Sequence, residues 1–195
     1  MLSERIRREA REWTESIVIA VILALVIRAF IVQAFKIPSG SMVPTFLVGD
    51  RIFVNKFIYG ARIPLTDIRL PAVRSPQRGD IIVFRSPEEP KKDFIKRLVA
   101  FGGETVEIRD GRIIVNGEPL ASPRSIRSIT YYNRGEYGKE SERVTVPKDS
   151  YYVLGDNSAS SRDSRYWGFV PQKNLIGKAM FLYWPIGRIR VIKDG

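Results

Sequence analysis

A mainly β domain behind a single N-terminal transmembrane helix is the fold class this sequence predicts, on three observations. The first is an apolar run, SIVIAVILALVIRAFIVQAF, from Ser16 to Phe35. The second is a change after Phe46 to short runs of β-type residues divided by turn formers, as in RIFVNKF, DIIVFRS and FIKRLVAF. The third is TVEIRDGRIIVNG, where Asp110-Gly111 separates two alternating runs, the strongest short signal for a hairpin.

The opening segment, residues 1–15, reads MLSERIRREAREWTE; its charges recur at helical spacing and continue into the helix that follows. Residues 16–35 are apolar all round rather than striped, which favours a membrane span over a core helix. About 20 residues at 1.5 Å each match the roughly 30 Å hydrocarbon layer. Arg28, the one charge inside, is close enough to the distal end for its stem to reach the headgroups. The run is too long for the apolar core of a removable leader, so the helix reads as an uncleaved anchor. Arg5, Arg7, Arg8 and Arg11 precede it, against Lys36 and Arg51 after it. That bias places the N-terminus in the cytoplasm and residues 36–195 on the far side.

Residues 36–195 read as an antiparallel β domain, with later runs SYYVLGD, LIGKAMFLYW and GRIRVIK. Twelve prolines and fifteen glycines leave little room for long helices. The stretch near 122–143 is polar and reads as a small surface excursion. Arg78-Gly79-Asp80 makes a turn into a strand, a better reading than an adhesion tripeptide.

Composition narrows the chemistry. The chain has no histidine and no cysteine, which excludes a Ser-His-Asp triad, thiol catalysis, zinc fingers and disulfides. No metal or other cofactor is expected. The net charge of +11 is spread along the chain, and no nucleic-acid-binding motif accompanies it. It fits a solvated or membrane-facing surface better than a nucleic-acid site.

Three polar segments carry the candidate chemistry. IPSGSMVPTF sets Ser39, Gly40 and Ser41 in a turn between prolines, a place to present a nucleophile. Without histidine, a neutral lysine can take the serine proton if desolvation lowers its pKa from about 10.4. Lys96 suits that role, because DFIKRLVAF surrounds it with Phe94, Ile95, Leu98, Val99 and Phe101; on pattern alone a surface lysine with a snorkelling stem is the equal alternative. Strand alternation expects either Lys96 or Arg97 to point inward, and only lysine can lose its proton there. The third segment, GDNSASSRDSRYWGFVP, gathers Asp156, Asn157, Ser161, Asp163 and Arg165 in one loop.

PSGSMVPTF, RGDIIVF, FIKRLVAFGGE and GDNSASSRDSRYWGFVP, in this order behind an anchor, resemble the nucleophile, strand, lysine and C-terminal boxes of type I signal peptidases, also called leader peptidases. The resemblance spans the membrane exit to about Val170. It implies a membrane-bound serine endopeptidase, Ser41 as nucleophile and Lys96 as general base. It implies Ser39 beside the Ser41 N–H as oxyanion donors, and Ser161 as the group that orients the lysine. Asp163 with Arg165, and Arg97 with Asp156, resemble supporting ion pairs. Phe35, Ile37, Met42 and Ile95 match subsite positions, each with core packing as its alternative role. The implied substrates are exported preproteins cleaved after Ala-x-Ala-like motifs through an acyl-enzyme. The implied setting is a bacterial inner membrane, with a thylakoid-type membrane as the other possibility, and a monomer. Where relatives carry GDNRDNS this chain has GDNSASS, so no role is carried over to Ser158, Ala159 or Ser160. Two rival readings stand beside this one: a self-cleaving Ser/Lys repressor, and a membrane-tethered β module that binds through its basic surface.

Overall fold

The computed structural model describes residues 2–63, 66 and 68–193, with residues 2–6 described by their backbone alone. Met1, Asp194 and Gly195, at the ends of the predicted segments, lie outside the described residues. Helix α1 runs Leu2–Val26 and passes into a five-residue π turn, Ile27–Ile31. Val32, extended at φ −134° and ψ 136°, then opens strand β1, Val32–Lys36. The helix expected to reach Phe35 therefore stops at Ile31, and the last four residues of the apolar run are strand. Valine and phenylalanine suit either state, and the ladder to a second strand decides between them. That strand, β2, is Arg51–Asn55, with Val32 opposite Asn55 and Lys36 opposite Arg51.

From β2 the chain passes to β3, Ile81–Arg85, and the long β4, Asp93–Phe101. The hairpin follows as β5, Thr105–Arg109, and β6, Arg112–Val115. Asp110 and Gly111 both have positive φ, 49° and 72°, the conformation of the tightest two-residue hairpin turn. Next come β7, Glu118–Pro119, a single-turn α2, Arg124–Arg127, and β8, Val144–Thr145. The chain ends through β9, Ser150–Leu154; α3, Ser164–Trp167; β10, Val170–Pro171; β11, Leu175–Trp184; and β12, Arg190–Val191.

Among the described residues, eight strands form one antiparallel sheet in the order β1-β2-β11-β3-β4-β9-β10, with β12 on the far half of β11. A smaller sheet, β7-β6-β5-β8, stands beside it. The excursion expected near 122–143 is part of a larger unit, because the second sheet draws strands from both sides of it. Strand β2 alternates, with Ile52 and Val54 buried and Arg51 and Phe53 exposed, whereas β3 buries Ile81, Ile82, Val83 and Phe84 in succession. That run marks β3 as a central strand covered on both faces. Ile37, Met42, Phe46, Ile52, Val54, Ile81 and Leu182 form one core; Ile82, Phe84, Leu98, Tyr151 and Val153 form another.

Candidate active site

Ser41 sits in a 3-10 turn, Gly40–Met42, that follows Ser39 in extended conformation. The first N–H groups of such a turn have no partner within it, which leaves the Ser41 amide free of the turn's own ladder. The turn is clamped from the C-terminal loop: Asn157 N–H donates to the Ser41 carbonyl at 3.0 Å, and Asn157 Nδ2 donates to the Gly40 carbonyl at 3.0 Å. Gly155 lies against the same carbonyl. A Cβ there would come within 2.5 Å of Ser41 O and 2.1 Å of Ser161 Oγ, so only glycine permits the approach.

Strand β4 brings Lys96 to this turn, with Nζ 2.8 Å from Ser41 Oγ. The same amine donates to the Ile95 carbonyl at 3.0 Å. Lys96 is 5% exposed and Ser41 8%. Burial pushes the Lys96 ammonium down to about 8; Asp163 and then Asp156 oppose the shift, and Arg165 assists it. Each of those carboxylates is held by an arginine. Arg97 grips Asp156 in a two-pronged pair, Nε to Oδ1 at 2.7 Å and Nη2 to Oδ2 at 2.6 Å. Arg165 grips Asp163 likewise, at 2.8 Å through Nε and 2.8 Å through Nη2, with both side chains fully buried. An acid so bound raises a neighbouring amine's pKa far less than a free one would.

The structure thus brings together Ser41, Lys96, Arg97, Asp156, Asp163 and Arg165. The expectation that one of Lys96 and Arg97 would face inward is corrected: both are buried. Arg97 is satisfied by Asp156, by the Gly79 carbonyl at 2.8 Å and by Ser125 Oγ at 3.3 Å. Ser39 is exposed beside the nucleophile turn and makes no side-chain cap. Ser161 is buried in the same loop, yet its Oγ has no hydrogen-bond partner among the described residues. The expected bond from Ser161 to Lys96 is not made in this structure, where the amine bonds Ser41 and Ile95. Phe35, Ile37 and Ile95 line a cavity of about 30 Å3 together with Val83 and Phe94. Met42, 0% exposed, packs into the core.

Two features escape the sequence reading. Ser158, left without a role, accepts from Tyr132 N–H at 2.8 Å and from Arg165 Nη1 at 3.0 Å. Lys178 in LIGKAMFLYW is as apolar in its flanks as Lys96 and equally buried. It pairs with Asp80 Oδ1 at 2.8 Å. The apolar-flank signal picks out both lysines and does not separate them.

Comparison with known proteins gives this arrangement a family. The model of the family described as signal peptidase, peptidase S26, matches residues 10–184. Signal peptidase I of Pseudomonas aeruginosa is 39% identical over 207 residues, covering 89% of this chain and 73% of that protein. Signal peptidase I of Leptolyngbya laminosa is 40% identical over 185 residues, covering 91% and 81%. A crystal structure of a signal peptidase I from Enterococcus faecalis V583 is 37% identical, covers 54% of this chain and 97% of that one, and has a TM-score of 0.45. The chain belongs to the signal peptidase family, peptidase S26. It is an enzyme, a serine protease that removes signal peptides from exported preproteins.

Proposed function

We propose that the chain is a membrane-anchored endopeptidase in which Ser41 attacks and Lys96 is the general base. The observation that carries this reading is the 2.8 Å approach of a buried lysine amine to a serine hydroxyl, with no carboxylate bonded to the amine among the described residues. A neutral Lys96 takes the Oγ proton as Ser41 attacks the scissile carbonyl. It returns the proton to the leaving amine. It then activates the water that hydrolyses the acyl-enzyme. Ser39 Oγ–H and Ser41 N–H are the oxyanion donors, each worth about 2.7–4 kcal/mol in comparable sites. Ser161, with its unpaired hydroxyl in the same loop, is the group that steadies the amine once substrate enters.

Two unpaired strand edges support an extended substrate between them. Among the described residues, strand β1 pairs only with β2. In β4, residues 93–96 pair with β3, whereas the ladder to β9 begins at Arg97. A peptide adding to these edges sends alternate side chains to one face. The cavity bounded by Phe35, Ile37 and Ile95 is on the scale of a methyl group, which suits cleavage after small residues such as alanine.

The helix is the anchor, with the N-terminus cytoplasmic and the β domain on the extracytoplasmic face of a bacterial inner membrane. The helix Arg7–Ile31 contains an apolar window of 18 residues, none of them buried. One chain supplies every group invoked, so the monomer is the working unit. Purified Ser41→Ala and Lys96→Met variants should each lose cleavage of a preprotein while their melting curves stay cooperative. Turnover retained by either variant refutes the assignment.

A further inference from the structure

A second cavity, of about 380 Å3, opens beside the end of the apolar helix. Lys56, Arg62, Arg69, Arg85 and Lys173 line it, and Asp93 is the one carboxylate among its described lining residues. The helix and the cavity are joined through Lys56. Its backbone N–H donates to Ile31 O at 2.9 Å, and its Nζ donates to Arg28 O at 3.1 Å and to Gln33 Oε1 at 3.4 Å. Arg69 is fixed in place by the carbonyls of Gly60 at 3.1 Å and Lys173 at 2.9 Å.

The height of this cavity follows from where the helix stops. The apolar stretch that remains helical, Ser16–Ile31, is sixteen residues. At 1.5 Å per residue it covers about 24 Å, some 6 Å less than a typical hydrocarbon layer. Val32–Phe35 cannot lengthen it, because they are tied to β2. A short span is accommodated by thinning the bilayer or drawing the flanking domain down to it. Gln33 and Lys56, which line the cavity, then lie at headgroup level, where the abundant anion is a phosphodiester. Burial, and then the nearby Arg28, push the Lys56 ammonium below its ordinary value, which Asp93 only partly opposes.

We propose that this cavity seats the phosphate headgroup of an anionic phospholipid, an inference that rests on the membrane-anchor reading of α1. The headgroup ties the β domain to the bilayer at a fixed height and rotation. The full chain in neutral detergent, titrated with phosphatidylglycerol or phosphatidylcholine and read by native mass spectrometry, tests it. Phosphatidylglycerol adducts should be preferred by about tenfold. Arg85→Gln combined with Lys173→Gln, both exposed positions, should abolish that preference. Arg112→Gln combined with Arg127→Gln, which line a different cavity, should keep it. An unchanged preference in the first pair overturns the proposal. Displacement of the lipid by an equal concentration of inorganic phosphate overturns the lipid as ligand and assigns the cavity to the free ion. Resistance of the membrane-inserted chain to carbonate extraction reports the anchor separately. Loss of that resistance sinks the anchor reading, whereas retention without lipid preference sinks the cavity alone.

Discussion

Lys96 and Lys178 are cross-strand neighbours of the same residue: Ile82 in β3 pairs with Lys96 in β4 on one side and with Lys178 in β11 on the other. Each is 5% exposed. Their partners differ. Lys178 meets the carboxylate of Asp80, which also receives Arg74 at 2.9 Å and the Tyr59 hydroxyl at 2.5 Å. Burial alone would raise the Asp80 pKa, but the bonds from Arg74, Lys178 and Tyr59 outweigh it and hold the carboxyl well below its usual range. Lys96 meets a hydroxyl, and its nearest acids are already committed to arginines. Equal burial therefore makes a structural ion pair at one lysine and a candidate base at the other. The partner, rather than the depth, decides.

Substituting each lysine should break the pair of cases apart. Lys96→Arg retains the positive charge but cannot give up a proton, so turnover should fall about 10,000-fold or more in a preprotein cleavage assay. Activity within tenfold of the parent would remove Lys96 from the role of base. Lys178→Met should leave a folded enzyme with its pH dependence intact. Removing one partner of a buried pair costs about 3 kcal/mol, read as a lower denaturation midpoint. If Lys178→Met abolished turnover without loss of stability, the contrast between the two lysines would fail.

The proton itself gives the next two effects. With a folded pKa of about 8 against an ordinary 10.5, Lys96 is charged in both folded and unfolded chains below pH 8. Between these values the unfolded chain binds a proton that the folded one has released, so stability rises with pH. The gain is about 3 kcal/mol and is complete above the unfolded pKa. Subtracting the stability curve of Lys96→Met from that of the parent isolates it; a flat difference would mean the amine is not desolvated. In kcat/KM the same group gives an ascending limb with its midpoint near 8. A limb near the ordinary lysine value would contradict the burial.

Much of this was legible beforehand, and the failures have a common cause. The strands were readable because β-branched and aromatic residues alternate between turn formers, and the Asp110-Gly111 hairpin because two positive φ values demand such residues. The turn at Ser39–Ser41 was readable from its serines, glycine and flanking prolines. What stayed hidden depends on partners far along the chain. The helix end at Ile31 is set by β2, since Val32 and Phe35 suit helix and strand alike. Arg97 enters the interior because Asp156 waits there. Ser158 matters through Tyr132 and Arg165, and Lys178 is told from Lys96 only by Asp80.

The smallest expected effect sharpens the comparison most, because it touches the proposed nucleophile while leaving the proposed base alone. Asn157 holds the Ser41 turn through two bonds: its backbone N–H to Ser41 O, and its side-chain Nδ2 to Gly40 O. Asn157→Ala removes only the second. The loss of one such hydrogen bond is about 1 kcal/mol in stability. Loosening Ser41 by a fraction of an ångström should lower kcat roughly tenfold. KM should hold, because the unpaired edges of β1 and β4 are untouched. The pH limb should hold as well, since neither the burial of Lys96 nor Asp163, Asp156 and Arg165 around it has changed. A merely structural residue would lower stability without moving kcat in the folded fraction. A shifted limb would mean that the loop sets the acidity of the amine directly, and the separation between positioning the serine and tuning the lysine would then be lost.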